Sequence, residues 1–134
     1  MKIDHIGYAI KSIEKSKADL EKVGYKFGEL IEDEDRNIEI VFGEKDGYKI
    51  ELVAPRDKSG SPVDKIIKRI RNGPYHICYV STDFENEIKQ LQKENYKMII
   101  EPAPAIAFDG RKVVFLMKLD VGLIEVVEER IQIE

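Results

Sequence analysis

The chain has 134 residues, of which 43% are hydrophobic and 36% charged, a balance typical of one folded domain with a packed core. The net charge of −4 argues against a general binder of nucleic acids or of anionic membranes. With one cysteine, no disulfide can form within the chain. Since neither a signal peptide nor an apolar run of about 20 residues is evident, we expect a cytoplasmic protein.

The first half of the chain is predicted to contain a strand, a helix and then several short strands. The strand spans about residues 2–10 and carries His5, and the helix spans about residues 13–23. Short segments rich in β-branched and aromatic residues follow, with Lys45-Asp46-Gly47 as a turn signal. The predicted order is therefore βαβββ.

A connector of sequence RDKSGSPVDKIIKRIRNGP follows. Ser61 is predicted to be the N-cap of a short helix, with Pro62 at its first position. Apolar residues at positions 63, 66, 67 and 70 give this helix a stripe to bury. We interpret the basic run from Lys65 to Gly73 first as the solvent face of this helix, and second as an anion-binding patch.

The second half repeats the order of the first. A strand at about residues 75–81 carries His76, and a helix follows at about residues 83–94. Thr82 and Glu85 are predicted to form a capping box at the start of this helix. A turn signal lies at positions 108–110, and the last residues, EERIQIE, are expected to form a loosely held tail.

The two halves are also similar residue by residue, which indicates an internal repeat. At an offset of 71, His5, Ile6 and Tyr8 fall on His76, Ile77 and Tyr79. At an offset of 74, the run Ile50-Glu51-Leu52-Val53 falls on Ile124-Glu125-Val126-Val127. A module of about 55 residues is marginally stable alone, and pairing two copies would solve that problem.

The repeat places two kinds of polar side chain in otherwise apolar strands: the histidines His5 and His76, and the glutamates Glu51 and Glu125. A buried carboxylate is costly unless it is paired or bound to a metal. Each residue alone is more commonly an ordinary strand residue, but all four at repeat-related positions suggest a shared role. Two imidazoles and two carboxylates suit a divalent transition metal with open positions for a substrate. Cys78 is read as a small buried apolar residue rather than a fifth ligand.

These residues and modules resemble the vicinal oxygen chelate superfamily, which includes glyoxalase I, methylmalonyl-CoA epimerase, extradiol dioxygenases and bleomycin-resistance proteins. The resemblance implies an α+β fold in which two tandem βαβββ modules form a half-barrel mixed sheet around a metal site. It implies one domain over residues 1–134, made of a module at 1–56, the connector at 57–73 and a module at 74–134. It also implies a homodimer, and one divalent ion (Zn, Ni, Co or Mn) held by His5, Glu51, His76 and Glu125.

Within the superfamily, the segments IDHIGYAI, KIELVAP, SPVDKIIKR, YHICYV and GLIEVVE are most similar to methylmalonyl-CoA epimerases. This likeness implies an isomerase that removes and returns a proton next to the metal-chelated carbonyl of an acyl thioester. It assigns the proton transfers to Glu125 and to Glu39, the latter in the segment NIEIVF. By its pattern alone, Glu39 is more commonly a solvated strand residue. The chain departs from the epimerases at Met117 and Leu119, where His and Ser are expected.

Two further functions fit parts of the same pattern. The first is glyoxalase I, which would act on a thiol hemithioacetal with the same ligand set. The second is a metal-free protein that binds a small molecule. An extradiol dioxygenase fits less well, because Glu51 fills a position that those enzymes keep open. In each case the partner is a small molecule, and neither nucleic acid nor a membrane is expected.

Overall fold

The computed structural model describes residues 1–129, so residues 130–134 of the predicted tail lie outside the described residues. The first half contains β1 (Lys2–Ala9), α1 (Ile13–Lys22), β2 (Lys26–Phe27), β3 (Ile31–Asp33), β4 (Ile38–Lys45) and β5 (Tyr48–Pro55), and α2 (Asp64–Ile70) is the connector helix. The second half contains β6 (Gly73–Ser81), α3 (Phe84–Lys93), β7 (Lys97–Pro104), a 3₁₀ turn (Ile106–Phe108), β8 (Lys112–Lys118) and β9 (Gly122–Glu128). The α+β class and the two successive modules are confirmed, although the first half has four strands after its helix where three were predicted.

The chain divides into two compact units. The N-terminal unit comprises residues 5–75, and the C-terminal unit comprises residues 1–4 together with the chain from His76 onward. The predicted division at residues 56 and 73 into two modules and a connector stays a prediction.

In the N-terminal unit, β1 pairs in parallel with β5, and β4 pairs antiparallel with β5, β2 and β3. The sheet is therefore mixed, as predicted, and it does not close into a barrel. Helix α1 covers one face, where Ile13 and Leu20 pack against a cluster that includes Val41, Ile50 and Leu52.

The C-terminal unit repeats this arrangement. Strand β6 pairs in parallel with β9, β8 pairs antiparallel with β9, and β7 pairs with β8 through two register shifts. Helix α3 buries Phe84 and Ile88 against Val114, Leu116 and Val126. Helix α1 has no fully buried residue, so the two copies differ in how firmly their helix is packed.

Helix α1 begins at Ile13, as predicted, but the predicted starts of the other two helices require correction. Helix α3 begins at Phe84 with Asp83 as its N-cap, because the Asp83 carbonyl already accepts a helical hydrogen bond from the Glu87 N–H at 2.9 Å. Thr82 lies one residue too early to cap it, and the capping box is wrong. The hydroxyl of Ser81 instead accepts a hydrogen bond from the Asp83 N–H at 3.1 Å.

Helix α2 begins at Asp64, three residues after the predicted N-cap. The Asp64 N–H donates to the Ser61 carbonyl at 3.2 Å, which closes a turn through the two intervening residues. The Ser61 N–H and hydroxyl both donate to the Asp64 carboxylate, at 2.8 and 3.0 Å. The basic side chains Lys65, Lys68 and Arg69 are exposed, in agreement with our first interpretation of the basic run.

The predicted turn between β4 and β5 is confirmed. Asp46 and Gly47 both have positive φ, 53° and 82°, and they form a two-residue connection between Lys45 and Tyr48. This is the backbone of the type I′ hairpin turns that favour Asp-Gly. No helix within residues 1–129 has the length and apolar character needed to cross a bilayer.

Candidate metal centre

In the N-terminal unit, the pairing of β1 with β5 brings His5 and Glu51 together. Gly7 lies directly opposite Glu51 in the parallel register, and His5 shares the face of Gly7 because strand side chains alternate. The Nε2 atom of His5 lies 3.5 Å from the Oε1 atom of Glu51. The two residues are only 1% and 4% exposed, so the pair is buried.

Phe42 completes the same face of this unit. It lies directly opposite Glu51 in the antiparallel register of β4 and β5. Its ring meets the His5 imidazole edge to face, with ring centres 5.5 Å apart and planes at 76°. The aromatic contact limits the orientations that the His5 ring can adopt.

The C-terminal unit has the same arrangement in its own residues. Cys78 and Phe115 both lie opposite Glu125, on β6 and β8. The Nε2 atom of His76 lies 3.2 Å from Glu125 Oε1, and both residues are 4% exposed. The His76 and Phe115 rings meet at 5.3 Å and 90°. The internal repeat therefore extends from the sequence to the local geometry.

The donor set fits a divalent metal ion. His5, Glu51, His76 and Glu125 are all buried and of types that could hold one. A buried carboxylate needs a partner to offset its lost hydration, and each lies within ion-pair distance of an imidazole nitrogen. Neutral imidazole and carboxylate ligands suit Zn, Ni, Co and Mn.

Glu39 does not share this face. It lies opposite Ala54 in the same register that places Phe42 opposite Glu51, and positions 39 and 42 alternate to opposite sides of the strand. With Val41, it lines a groove against α1. The role in proton transfer that the resemblance assigns to Glu39, together with Glu125, stays a prediction.

Sequence reasoning identified the four His and Glu positions but missed Phe42 and Phe115. A signal was present, because Val41-Phe42 and Val114-Phe115 form the same dipeptide at an offset of 73, between the two offsets of the repeat. Two small residues, Gly7 and Cys78, lie opposite the glutamates. Cys78 is fully buried.

A family model described as the Glyoxalase/Bleomycin resistance protein/Dioxygenase superfamily matches residues 4–115. Among curated proteins, the mitochondrial methylmalonyl-CoA epimerase of Dictyostelium discoideum is 34% identical over 119 residues, which cover 86% of this chain and 69% of the relative. The corresponding enzyme of Bos taurus is 26% identical and covers 90% of this chain and 69% of the relative.

Solved structures share the fold over nearly the whole chain. A hypothetical protein from Bacillus halodurans superposes with a TM-score of 0.83 at 29% identity and covers 99% of this chain and 97% of that one. Methylmalonyl-CoA epimerase from Mycobacterium tuberculosis has a TM-score of 0.80 at 20% identity and covers 97% and 89%. A variant of the Streptomyces coelicolor epimerase, solved with 2-nitronate-propionyl-CoA, has a TM-score of 0.79 at 19% identity and covers 98% and 99%.

Proposed function

The chain belongs to the glyoxalase/bleomycin resistance protein/dioxygenase superfamily, and from that premise we propose that it is a divalent-metal-dependent isomerase of the methylmalonyl-CoA epimerase type. Its substrate would be a small acyl thioester whose α-carbon gains and loses a proton. The curated relatives with this activity support the reaction class.

The observation that carries the proposal is the pair of equivalent His–Glu contacts. Each pair is buried and has a phenylalanine as its aromatic neighbour. In each, an imidazole nitrogen lies 3.2–3.5 Å from a carboxylate oxygen. We propose that His5, Glu51, His76 and Glu125 are four ligands of one cation. When bound, a divalent cation would act as a Lewis acid toward a substrate carbonyl.

Within this proposal, Glu125 transfers the α-proton. A group that moves a proton must come within hydrogen-bond reach of it, and Glu125 is buried against His76. Because Glu39 faces α1 rather than His5, we propose Glu51 as the carboxylate that the N-terminal unit contributes. One carboxylate that takes and returns the proton on one side keeps the configuration, whereas two carboxylates on opposite sides invert it.

The test is NMR in D2O with metal-loaded protein and a single epimer of methylmalonyl-CoA. We expect α-deuteration together with the appearance of the other epimer. Exchange that retains configuration would mean that one carboxylate acts alone. A parallel sample with methylglyoxal and glutathione tests the glyoxalase reaction, and turnover there without exchange of the thioester would refute the epimerase assignment.

The matched variants are Glu125→Gln and Glu39→Gln. Both replace a carboxylate by an amide of the same shape. We expect the first to lose exchange, and the second to keep it within about twofold, because residue 39 faces α1. Metal content, measured on the same samples, separates a lost ligand from a lost proton carrier. Wild-type protein that binds no divalent metal would favour a small-molecule binding protein instead.

A further inference from the structure

The two His–Glu pairs differ at one neighbouring position. Lys49 precedes Glu51 by two residues on β5 and shares its face, whereas Leu123 holds the equivalent place before Glu125 on β9. Lys49 is half-buried. The N-terminal pair therefore has a cationic neighbour where the C-terminal pair has an apolar one.

Lys49 is oriented by the aromatic residue of the site. Its Nζ atom lies 4.6 Å from the centre of the Phe42 ring, and the same ring contacts the His5 imidazole. An ammonium over a ring face is held by the ring quadrupole, and it carries three N–H donors. The contact thus keeps a positive charge next to the proposed ligands His5 and Glu51.

We propose that Lys49 forms an anion-binding subsite for the carboxylate of a dicarboxylic acyl thioester, an inference that rests on the proposed function. Such a substrate has two carbonyl groups on one α-carbon. A ligand set built from two equivalent halves would accept these groups in either order. A cation on one side only distinguishes the carboxylate from the uncharged thioester, and so fixes which way the substrate binds.

Two neighbours provide the controls. Glu44 lies directly opposite Lys49 in the β4–β5 register, and Lys26 lies opposite Glu44 on β2. Glu44 and Lys26 are both exposed, and exposed ion pairs contribute little to stability. If Lys49 served only to pair with Glu44, Glu44→Gln would have the same effect as Lys49→Met. If only the general positive field mattered, Lys26→Met would do so.

The experiment is calorimetric titration of metal-loaded protein with two probes. Methylmalonate carries the carboxylates without the coenzyme, and coenzyme A carries the phosphates without the acyl group. Because hydrogen bonds to charged groups are strong, we expect Lys49→Met to weaken methylmalonate binding by about 10-fold or more. Its affinity for coenzyme A should stay within about twofold. Glu44→Gln and Lys26→Met should leave both affinities unchanged, and Lys49→Arg should restore methylmalonate binding in part.

Three outcomes would overturn the subsite: unchanged methylmalonate affinity in Lys49→Met, an equal loss in either control variant, or a loss confined to coenzyme A, which would make this a phosphate site. Steady-state kinetics separate this result from the proposed function. Wild-type protein that exchanges no α-proton defeats the epimerase assignment. Exchange with an unchanged KM in Lys49→Met defeats only the role of Lys49, and a raised KM with a retained kcat supports it.

Discussion

Glu39 and Glu51 are the same residue type on adjacent strands of one unit, but they face opposite sides of the sheet. The register of β4 with β5 places Phe42 opposite Glu51, so position 39 falls on the other face. Glu51 is buried against His5, whereas Glu39 is partly exposed beside α1. The two glutamates therefore form an internal comparison for any role that depends on location rather than on charge.

Loss of an outer partner of a metal ligand lowers metal affinity by roughly 10- to 100-fold. We expect Glu51→Gln, which removes a proposed ligand itself, to lower the affinity for a divalent metal by at least as much. The amide keeps the size of the side chain but removes the anionic donor. Competition with a chromophoric chelator measures the affinity. Glu39→Gln is the matched control, and an equal loss in both variants would show that net charge, rather than Glu51 itself, governs the affinity.

Asp57 is held in its ionised form by donors from two segments. The Ser59 hydroxyl and N–H and the Asn37 side chain donate to its carboxylate, the last at 3.0 Å. These bonds lower the pKa of Asp57 from the usual 3.8 to about 2, with the Ser59 side chain as the largest cause. Because the pKa is depressed in the folded state, the carboxylate stabilises the fold above about pH 4 and loses that effect as the pH falls through about 2.

We expect Ser59→Ala and Asn37→Gly each to move the pKa of Asp57 back toward 3.8, because each removes a donor to the ionised form. Glycine suits position 37, where φ is 55°. The side-chain carboxyl signal of Asp57, followed by NMR between pH 1.5 and 6, gives the value directly. A pKa of about 2 that persists in both variants would contradict this account.

At the scale of elements, the turn between β4 and β5 predicts the register of the two strands as well as the place of the turn. A two-residue turn at Asp46 and Gly47 fixes the pairing of every residue on the two strands, and the signal for this turn is visible in the sequence. Counting back from it places Phe42 opposite Glu51, which would have assigned Glu39 to the other face. The four proposed ligands could be predicted because a histidine and a glutamate recur at equivalent positions of the two halves.

The helix starts were less predictable for a physical reason. Ser, Thr and Asp are all favourable N-caps, and Ser81, Thr82 and Asp83 are consecutive. Which of them becomes the N-cap depends on where strand β6 ends, and tertiary contacts determine that end. Cap chemistry therefore identified the region where α2 and α3 begin, but not the residue.

Gly43 on β4 is required by the ring of Phe27 on β2, its cross-strand partner. A Cβ atom at position 43 would lie 2.3 Å from a ring carbon. We expect Gly43→Ala to lower the free energy of unfolding by about 1–3 kcal/mol, as overpacking does. Gly28→Ala is the control, since its Cβ meets only a carbonyl oxygen at 3.9 Å, and its effect should stay within about 0.5 kcal/mol.

Urea unfolding monitored by circular dichroism measures both variants. The double variant Phe27→Leu with Gly43→Ala should recover part of the loss, because the smaller side chain removes the clash. Equal stability of the Gly43 and Gly28 variants would show that the strand β2 moves aside without cost.

For the whole molecule, binding of the proposed cation would add to the stability of the folded state. A cation that binds only the folded chain stabilises it by about 2.7 kcal/mol at a concentration of 100 times Kd. The expected homodimer and the half-barrel shape stay predictions of the resemblance, and sedimentation or scattering in solution can address them.

We expect Zn or Co to raise the Tm of the wild-type protein by several degrees, and a chelator to reverse the shift. His5→Ala and His76→Ala should each abolish it if one cation uses both pairs. A shift that survives in one variant and not in the other would mean that a single His–Glu pair binds the metal alone. Differential scanning calorimetry provides the measurement.

The unequal packing of the two repeated helices has a consequence for motion. Helix α3 buries Phe84 and Ile88, whereas α1 buries no side chain completely. Local opening is easiest where few apolar contacts are lost. In deuterium uptake measurements, the amides of α1 should therefore lose protection well before those of α3. The two halves would then be similar in sequence, but their helices would open locally at different free energies.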